Sequence, residues 1–222
     1  MTYVLVHSPS VGPLTWAPVA ARLGGAVVPR ITGLHPPFWQ AVAGTVGAAI
    51  DRTPPGEPVV LVAHSNAGLF VPAIVEVSPR PVAACLFVDA SLPALDPPTP
   101  VVSPGRLTFL HALVEDDGRL PPWTRWFDEA DVAPMFPDDA TRAAVAAEEP
   151  RLPIAYYEEA VPAPAGWDDR PCGYLLFGPP YEAVAADATD RGWTVGVIPG
   201  RHLHQLVDPG AVAEWIGGFP PG

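Results

Sequence analysis

The chain has 222 residues, enough for one sizeable domain with room for an insertion. Its residues are 49% hydrophobic and its net charge is −12, all 12 basic residues being arginine. That charge balance repels nucleic acid and anionic membranes, and neither is expected as a partner. Oligomeric state has no signal in the sequence.

Thr2 to His7 reads as a first strand running into the turn-forming loop Ser8-Pro9-Ser10-Val11-Gly12-Pro13. No apolar run is long enough to span a membrane, and with Met1 followed at once by a strand no secretory leader is expected. Thr15 to Leu23 has helical periodicity, and Gly24-Gly25 ends it. Ala26 to Pro29 reads as a short edge strand, since proline cannot donate to a central ladder. Phe38 to Ile50 is a second helix.

Val59 to Val62 is an apolar, mostly β-branched run typical of a buried strand. Ala63-His64-Ser65-Asn66-Ala67-Gly68 follows, and then the apolar helical run Leu69 to Val75. The pattern is strand, sharp turn and helix with a serine at the apex. Small flanking residues let strand and helix approach closely around such a turn. Val82 to Val88 is the next core strand, ending at Asp89.

From Ser91 to Trp167 the sequence is rich in proline and acid, with short helical runs at 106–113, 123–130, 138–147 and 153–160 and no strand alternation. Residues 91–167 are therefore expected to form a helical cap inserted into a core of residues 1–90 and 168–222. Five aromatics of this segment, Trp123, Trp126, Phe127, Tyr156 and Tyr157, are the expected apolar lining of a substrate pocket. Glu115-Asp116-Asp117 and Glu158-Glu159 read as solvated faces. The core then resumes with a strand at 172–177, a helix at 181–190, a strand at 193–198, a loop through His202 and His204, and a last helix capped by Asp208. Cys85 and Cys172 fall in apolar strands and read as buried thiols, which fits a cytoplasmic location. Strands alternating with helices imply a mostly parallel α/β sheet of six strands with helices on both faces.

Three motifs in this order resemble the α/β-hydrolase fold superfamily. Ala63 to Gly68 is similar to its nucleophile elbow, with alanine at both glycine positions of the usual G-x-S-x-G. His7, with Gly12 and Trp16 behind it, resembles the family's His-Gly loop, although Ser8 replaces the glycine. Ile198 to His202 followed by Asp208-Pro209 resembles the catalytic-histidine loop.

The resemblance implies Ser65 as nucleophile and His202 as its base, with His204 as the rival base. The family's usual acid position reads Gly178-Pro179-Pro180-Tyr181-Glu182, so Asp89 is the expected acid and Glu182 the runner-up. The oxyanion hole would use the backbone N–H of Asn66. The position that normally supplies the second donor is Pro9, which has none, leaving Ser8 or Ser10 to compensate. No metal cluster, phosphate-cradling loop or dinucleotide motif is present, so no cofactor or metal is expected.

Three readings of function follow. The first is a serine hydrolase acting on a small or medium ester, thioester or lactone through Ser65, His202 and Asp89. The second keeps the fold but eliminates an acyl group, as a lyase or cyclase, which resembles relatives in tetronate polyketide pathways of bacteria. The third is a binding protein that retains only the pocket.

Overall fold

The computed structural model describes residues 1–220. Five parallel strands form the central sheet: β1 (Thr2–Val6), β2 (Val59–His64), β3 (Val82–Val88), β6 (Cys172–Leu176) and β7 (Thr194–Val197), in spatial order β1-β2-β3-β6-β7. Two further strands, β4 (Thr99–Pro100) and β5 (Ala160–Val161), pair with each other outside it. The helices are α1 (Ala17–Leu23), α2 (Phe38–Asp51), α3 (Val71–Val77), α4 (Pro104–His111), α5 (Glu129–Val132), α6 (Asp139–Glu148), α7 (Ile154–Tyr157), α8 (Glu182–Asp190), α9 (His204–Val207) and α10 (Pro209–Gly218).

The central strands β2, β3 and β6 are buried on both faces, which is why they are continuously apolar rather than alternating, whereas the edge strand β7 is partly exposed. Val4, Leu61, Ala63, Phe87 and Tyr174 pack beneath α2 and α3. Leu5, Val62, Leu86 and Leu175 pack against Trp16, the α1 residue Val19, and Val212 and Ile216 of α10. Asp208 caps α10 by accepting the Ala211 N–H at 3.0 Å, and Pro209 holds its first position. Cys85 and Cys172 are register partners on β3 and β6 and are both buried free thiols.

The expected six strands are five. Residues 26–29 make only a single parallel bridge, Val27 to Val4, with N–H to carbonyl distances of 2.8 Å on either side. Gly24 and Gly25 before it and Pro29 after it leave no room for a ladder.

Between β3 and β6 the chain contains short helices, as read, and also the unexpected β4–β5 pair. The run at 123–130 is broken into a 3-10 turn (Trp123–Arg125) and α5, and the run at 153–160 stops at Tyr157 so that the chain can enter β5. Leu110, Leu120, Val132 and Val145 of this segment join the cluster on the α2–α3 face of the sheet. Glu159 is not a solvated carboxylate: it accepts the N–H groups of Phe38 (2.8 Å) and Trp39 (3.2 Å), capping the start of α2. No helix among the described residues is long and apolar enough to cross a membrane.

Candidate active site

β2 ends at His64, and Ser65 follows with φ 60°, a left-handed backbone that non-glycine residues adopt only under constraint. The constraint is the approach of the turn to the chain after β3. The Ser91 N–H donates to the Ser65 carbonyl at 3.0 Å, and a Cβ on Gly68 would stand 2.1 Å from the Ser91 carbonyl oxygen. Glycine is therefore required at 68, whereas Ala63 and Ala67 sit fully buried at the positions of the elbow's usual glycines.

Asp89 is the second non-glycine residue with positive φ, at 43°. Its N–H donates to the Leu175 carbonyl (2.7 Å), and its Oδ1 accepts the Phe177 N–H (3.0 Å). The Tyr174 hydroxyl donates to the Ala90 carbonyl (2.8 Å) and accepts the Ala90 N–H (3.1 Å). β6 thus holds the buried carboxylate so that Oδ2 points away from the sheet.

His202 lies after β7. The loop is anchored by the Gly200 N–H on the Phe177 carbonyl (2.8 Å), and the His64 Nε2–H donates to the carbonyl of His202 itself (2.8 Å). These anchors bring three side chains together. His202 Nδ1–H donates to Asp89 Oδ2 at 2.6 Å, and Ser65 Oγ–H donates to His202 Nε2 at 2.9 Å. The carboxylate fixes the tautomer that leaves Nε2 able to accept a proton. Glu182 is exposed in the first turn of α8, and His204 packs against Phe177 with ring centroids 5.5 Å apart. Neither shares a hydrogen bond with Ser65 or His202 among the described residues.

Two other histidines are kept neutral inside the fold. His64 is fully buried; burial and then the neighbouring His202 hold it well below the ordinary histidine range. Burial lowers His7 to about 4. Its Nδ1–H donates to the Ser8 carbonyl (2.8 Å), and its Nε2 accepts the Ile31 N–H (3.2 Å), so His7 shapes the loop rather than facing a ligand. His35 is exposed, and His111 pairs with Glu158 on the surface.

The loop at Ser8 to Ser10 is tied to the elbow by a chain of polar contacts. The Ser10 N–H donates to Ser8 Oγ (3.2 Å), Ser8 Oγ–H to Asn66 Oδ1 (2.7 Å), and Asn66 Nδ2–H to the Tyr156 hydroxyl (2.8 Å). Ser10 Oγ and the Tyr157 hydroxyl are 2.8 Å apart.

A cavity of about 640 Å³ opens over Ser65 and His202. Trp123, Trp126, Phe127 and Tyr157 line it, together with Ser8, Ser10 and Asn66. Tyr156 does not. It is fully buried beneath Phe38 and Phe70, because neighbouring residues of one helical turn point about 100° apart and Tyr157 takes the cavity side.

Among the wall residues that the sequence reading did not name as lining, two bear on the chemistry. Tyr181 stacks on the His202 ring, with centroids 5.1 Å apart and planes 10° from parallel, and its hydroxyl lies beside those of Ser65 and Ser91. Arg106 enters from α4. Tyr181 sits in the family's acid position, and a stacking role there has no sequence signature. No group of three histidine, cysteine or carboxylate side chains among the described residues is placed to hold a metal ion.

No family model matches the chain, and no curated protein matches it. Solved structures do. An extracellular α/β-hydrolase from a Paenibacillus species, described as sharing homology with tobacco salicylic acid binding protein 2, superposes with a TM-score of 0.74 at 17% identity, over 96% of each chain. A pyrethroid hydrolase superposes with a TM-score of 0.72 at 19% identity, over 99% of this chain and 97% of that one. Polyneuridine aldehyde esterase gives 0.67 at 15% identity, over 97% of each. At these identities the likeness is one of architecture, and with the elbow, the sheet order and the histidine loop in place it is unambiguous: the chain has the α/β-hydrolase fold.

Proposed function

We propose that the protein is a serine hydrolase of small or medium esters, thioesters or lactones. The observation that carries this reading is the hydrogen-bonded relay from Ser65 Oγ through His202 to Asp89 at the floor of a largely apolar cavity. Ser65 Oγ attacks the acyl carbon while His202 Nε2 takes its proton, and Asp89 Oδ2 stabilises the imidazolium that forms. The same proton goes to the departing alcohol or thiol as the carbon–oxygen or carbon–sulfur bond breaks. Water, deprotonated by His202, then releases the acid and restores Ser65. A protein that only bound a ligand would not need this relay.

The oxyanion is met by the Asn66 N–H. Pro9 has no N–H to add, the Ser8 hydroxyl proton is used on Asn66, and the Ser10 N–H is used on Ser8. The hydroxyls of Ser10 and Tyr157 carry two protons and share one bond, so one proton of the pair is free for the cavity that both line. That proton is a second donor at the loop that Pro9 interrupts.

The lack of an N–H at position 9 also favours a second reading, elimination of an acyl group as carboxylate. There His202 removes a proton from carbon, and no tetrahedral oxyanion forms. Ser65→Ala and His202→Ala separate the two. Hydrolysis requires both variants to lose nearly all turnover and requires an acyl adduct on Ser65 in the intact mass of the wild type. Elimination requires Ser65→Ala to retain substantial turnover while His202→Ala does not, and an alkene among the products.

A further inference from the structure

The arginines of this protein with charged side-chain partners meet them outside the cavity over Ser65: Arg30 pairs with Glu148, Arg142 with Glu129, Arg151 with Glu115 and Asp117, and Arg191 with Asp187. Arg106 is different. It is half-buried on the wall of that cavity, and among the described residues its guanidinium makes no ion pair and no hydrogen bond. It is held by aromatic faces instead. The guanidinium carbon lies 4.9 Å from the ring centroids of Phe109 and Phe127 and 5.9 Å from that of Trp126. Contacts of this kind fix the side chain without using any of its five N–H donors.

An acidic protein with 24 carboxylates sets none of them against this cation. Among the described residues Asp131 is the one carboxylate on the cavity wall, and it is not paired with Arg106. Arg201, exposed at the cavity rim, adds a second positive charge. The cavity next to Ser65 is therefore locally cationic inside a molecule of net charge −12. Leaving a half-buried guanidinium without acceptors is costly unless the acceptors arrive with a ligand.

We infer that Arg106 receives a carboxylate on the substrate, so that the preferred substrates are monoesters or thioesters whose acyl part ends in a second, free carboxylate. The inference rests on the hydrolase reading above. A planar carboxylate matches the guanidinium fork and brings a single charge for a single cation. The aromatic wall of Trp126 and Phe127 accepts the methylene chain between the carboxylate and the scissile bond.

The test uses the p-nitrophenyl monoesters of succinic, glutaric and adipic acids. Each is compared with a neutral ester of the same shape in which isopropyl replaces the carboxylate: 4-methylpentanoate, 5-methylhexanoate and 6-methylheptanoate. Hydrolysis of the neutral esters reports on the proposed function, and the ratio of kcat/KM within each pair reports on Arg106. A hydrogen bond between charged groups in a sheltered site predicts a ratio above roughly ten for at least one chain length in the wild type. Arg106→Gln should reduce that ratio at least about tenfold, mainly through KM, and Arg106→Lys should restore part of it. A ratio of one or less at every length, or a ratio unchanged in Arg106→Gln, overturns the inference and leaves the hydrolase reading intact. If no ester of either kind is turned over, the hydrolase reading fails by itself, and the inference is decided by binding of the glutarate dianion. A rise in melting temperature with glutarate that is lost in Arg106→Gln supports it, and no rise or an equal rise in both proteins overturns it.

Discussion

Asp89→Asn is the sharpest test of the relay, because the structure dictates which way the new amide must face. Asp89 Oδ1 accepts the Phe177 N–H at 3.0 Å and Oδ2 accepts His202 Nδ1–H at 2.6 Å. Asparagine has one acceptor oxygen and one NH2. With the oxygen toward the Phe177 N–H, the NH2 points at His202 Nδ1, which must then accept. The ring proton moves to Nε2, and Nε2 can no longer take the proton of Ser65. The opposite orientation sets NH2 against the Phe177 N–H at a fully buried position, two donors facing each other. The first orientation therefore wins, geometry is preserved and chemistry is lost. A wrong tautomer of this kind lowers kcat by roughly four orders of magnitude, about 5.5 kcal/mol of transition-state stabilisation. The assay is release of p-nitrophenol from a short-chain ester by wild type, Asp89→Asn and Glu182→Gln, with circular dichroism to establish that each variant is folded. Glu182→Gln should match wild type, since that side chain lies exposed on α8. A folded Asp89→Asn within about tenfold of wild type would refute the relay as drawn.

Stability should fall in acid for a reason separate from catalysis. His7 has a folded value near 4 against 6.5 when free, and His64 is also lowered, so between these pH values the unfolded chain binds more protons than the folded one. The contribution is fully present above about pH 6.5 and is lost as pH falls toward 4, with His7 alone accounting for about 3 kcal/mol. Melting temperature against pH checks this, and a flat profile from pH 7 to 4 contradicts it. Gly68→Ala puts a methyl group 2.1 Å from the Ser91 carbonyl oxygen. It should destabilise by about 1–3 kcal/mol and lower turnover, because the chain that must retreat carries the Ser91–Ser65 bond. Chemical denaturation that shows an unchanged midpoint would mean the elbow is looser than drawn.

Much of this molecule was legible in its residues. The continuous apolar runs at 59–62, 82–88 and 172–176 encode strands covered on both faces, and the small residues around Ser65 encode a tight strand-to-helix turn. Asp208-Pro209 marks the start of α10 without any reference to tertiary contacts. These are local signals, set by side-chain volume, branching and backbone hydrogen bonding within a few residues. Between β3 and β6 such signals are sparser: Ser103 and Asp138 cap α4 and α6, while α5 and α7 have no side-chain cap. The helices α5 and α7 are single turns whose ends are decided by what they pack on, so Tyr156 and Tyr157, adjacent and chemically alike, take opposite destinations. Ala26 to Pro29 looks like a strand locally but bonds through one residue, because a ladder needs a neighbour with which to register. The approach of Asp89 to His202, 113 residues apart, depends on β6 lying between β3 and β7. Arg106 had no distinguishing feature as a sequence position. Its meaning comes from what is missing around it, a counter-charge, and only the folded chain determines which charges are neighbours.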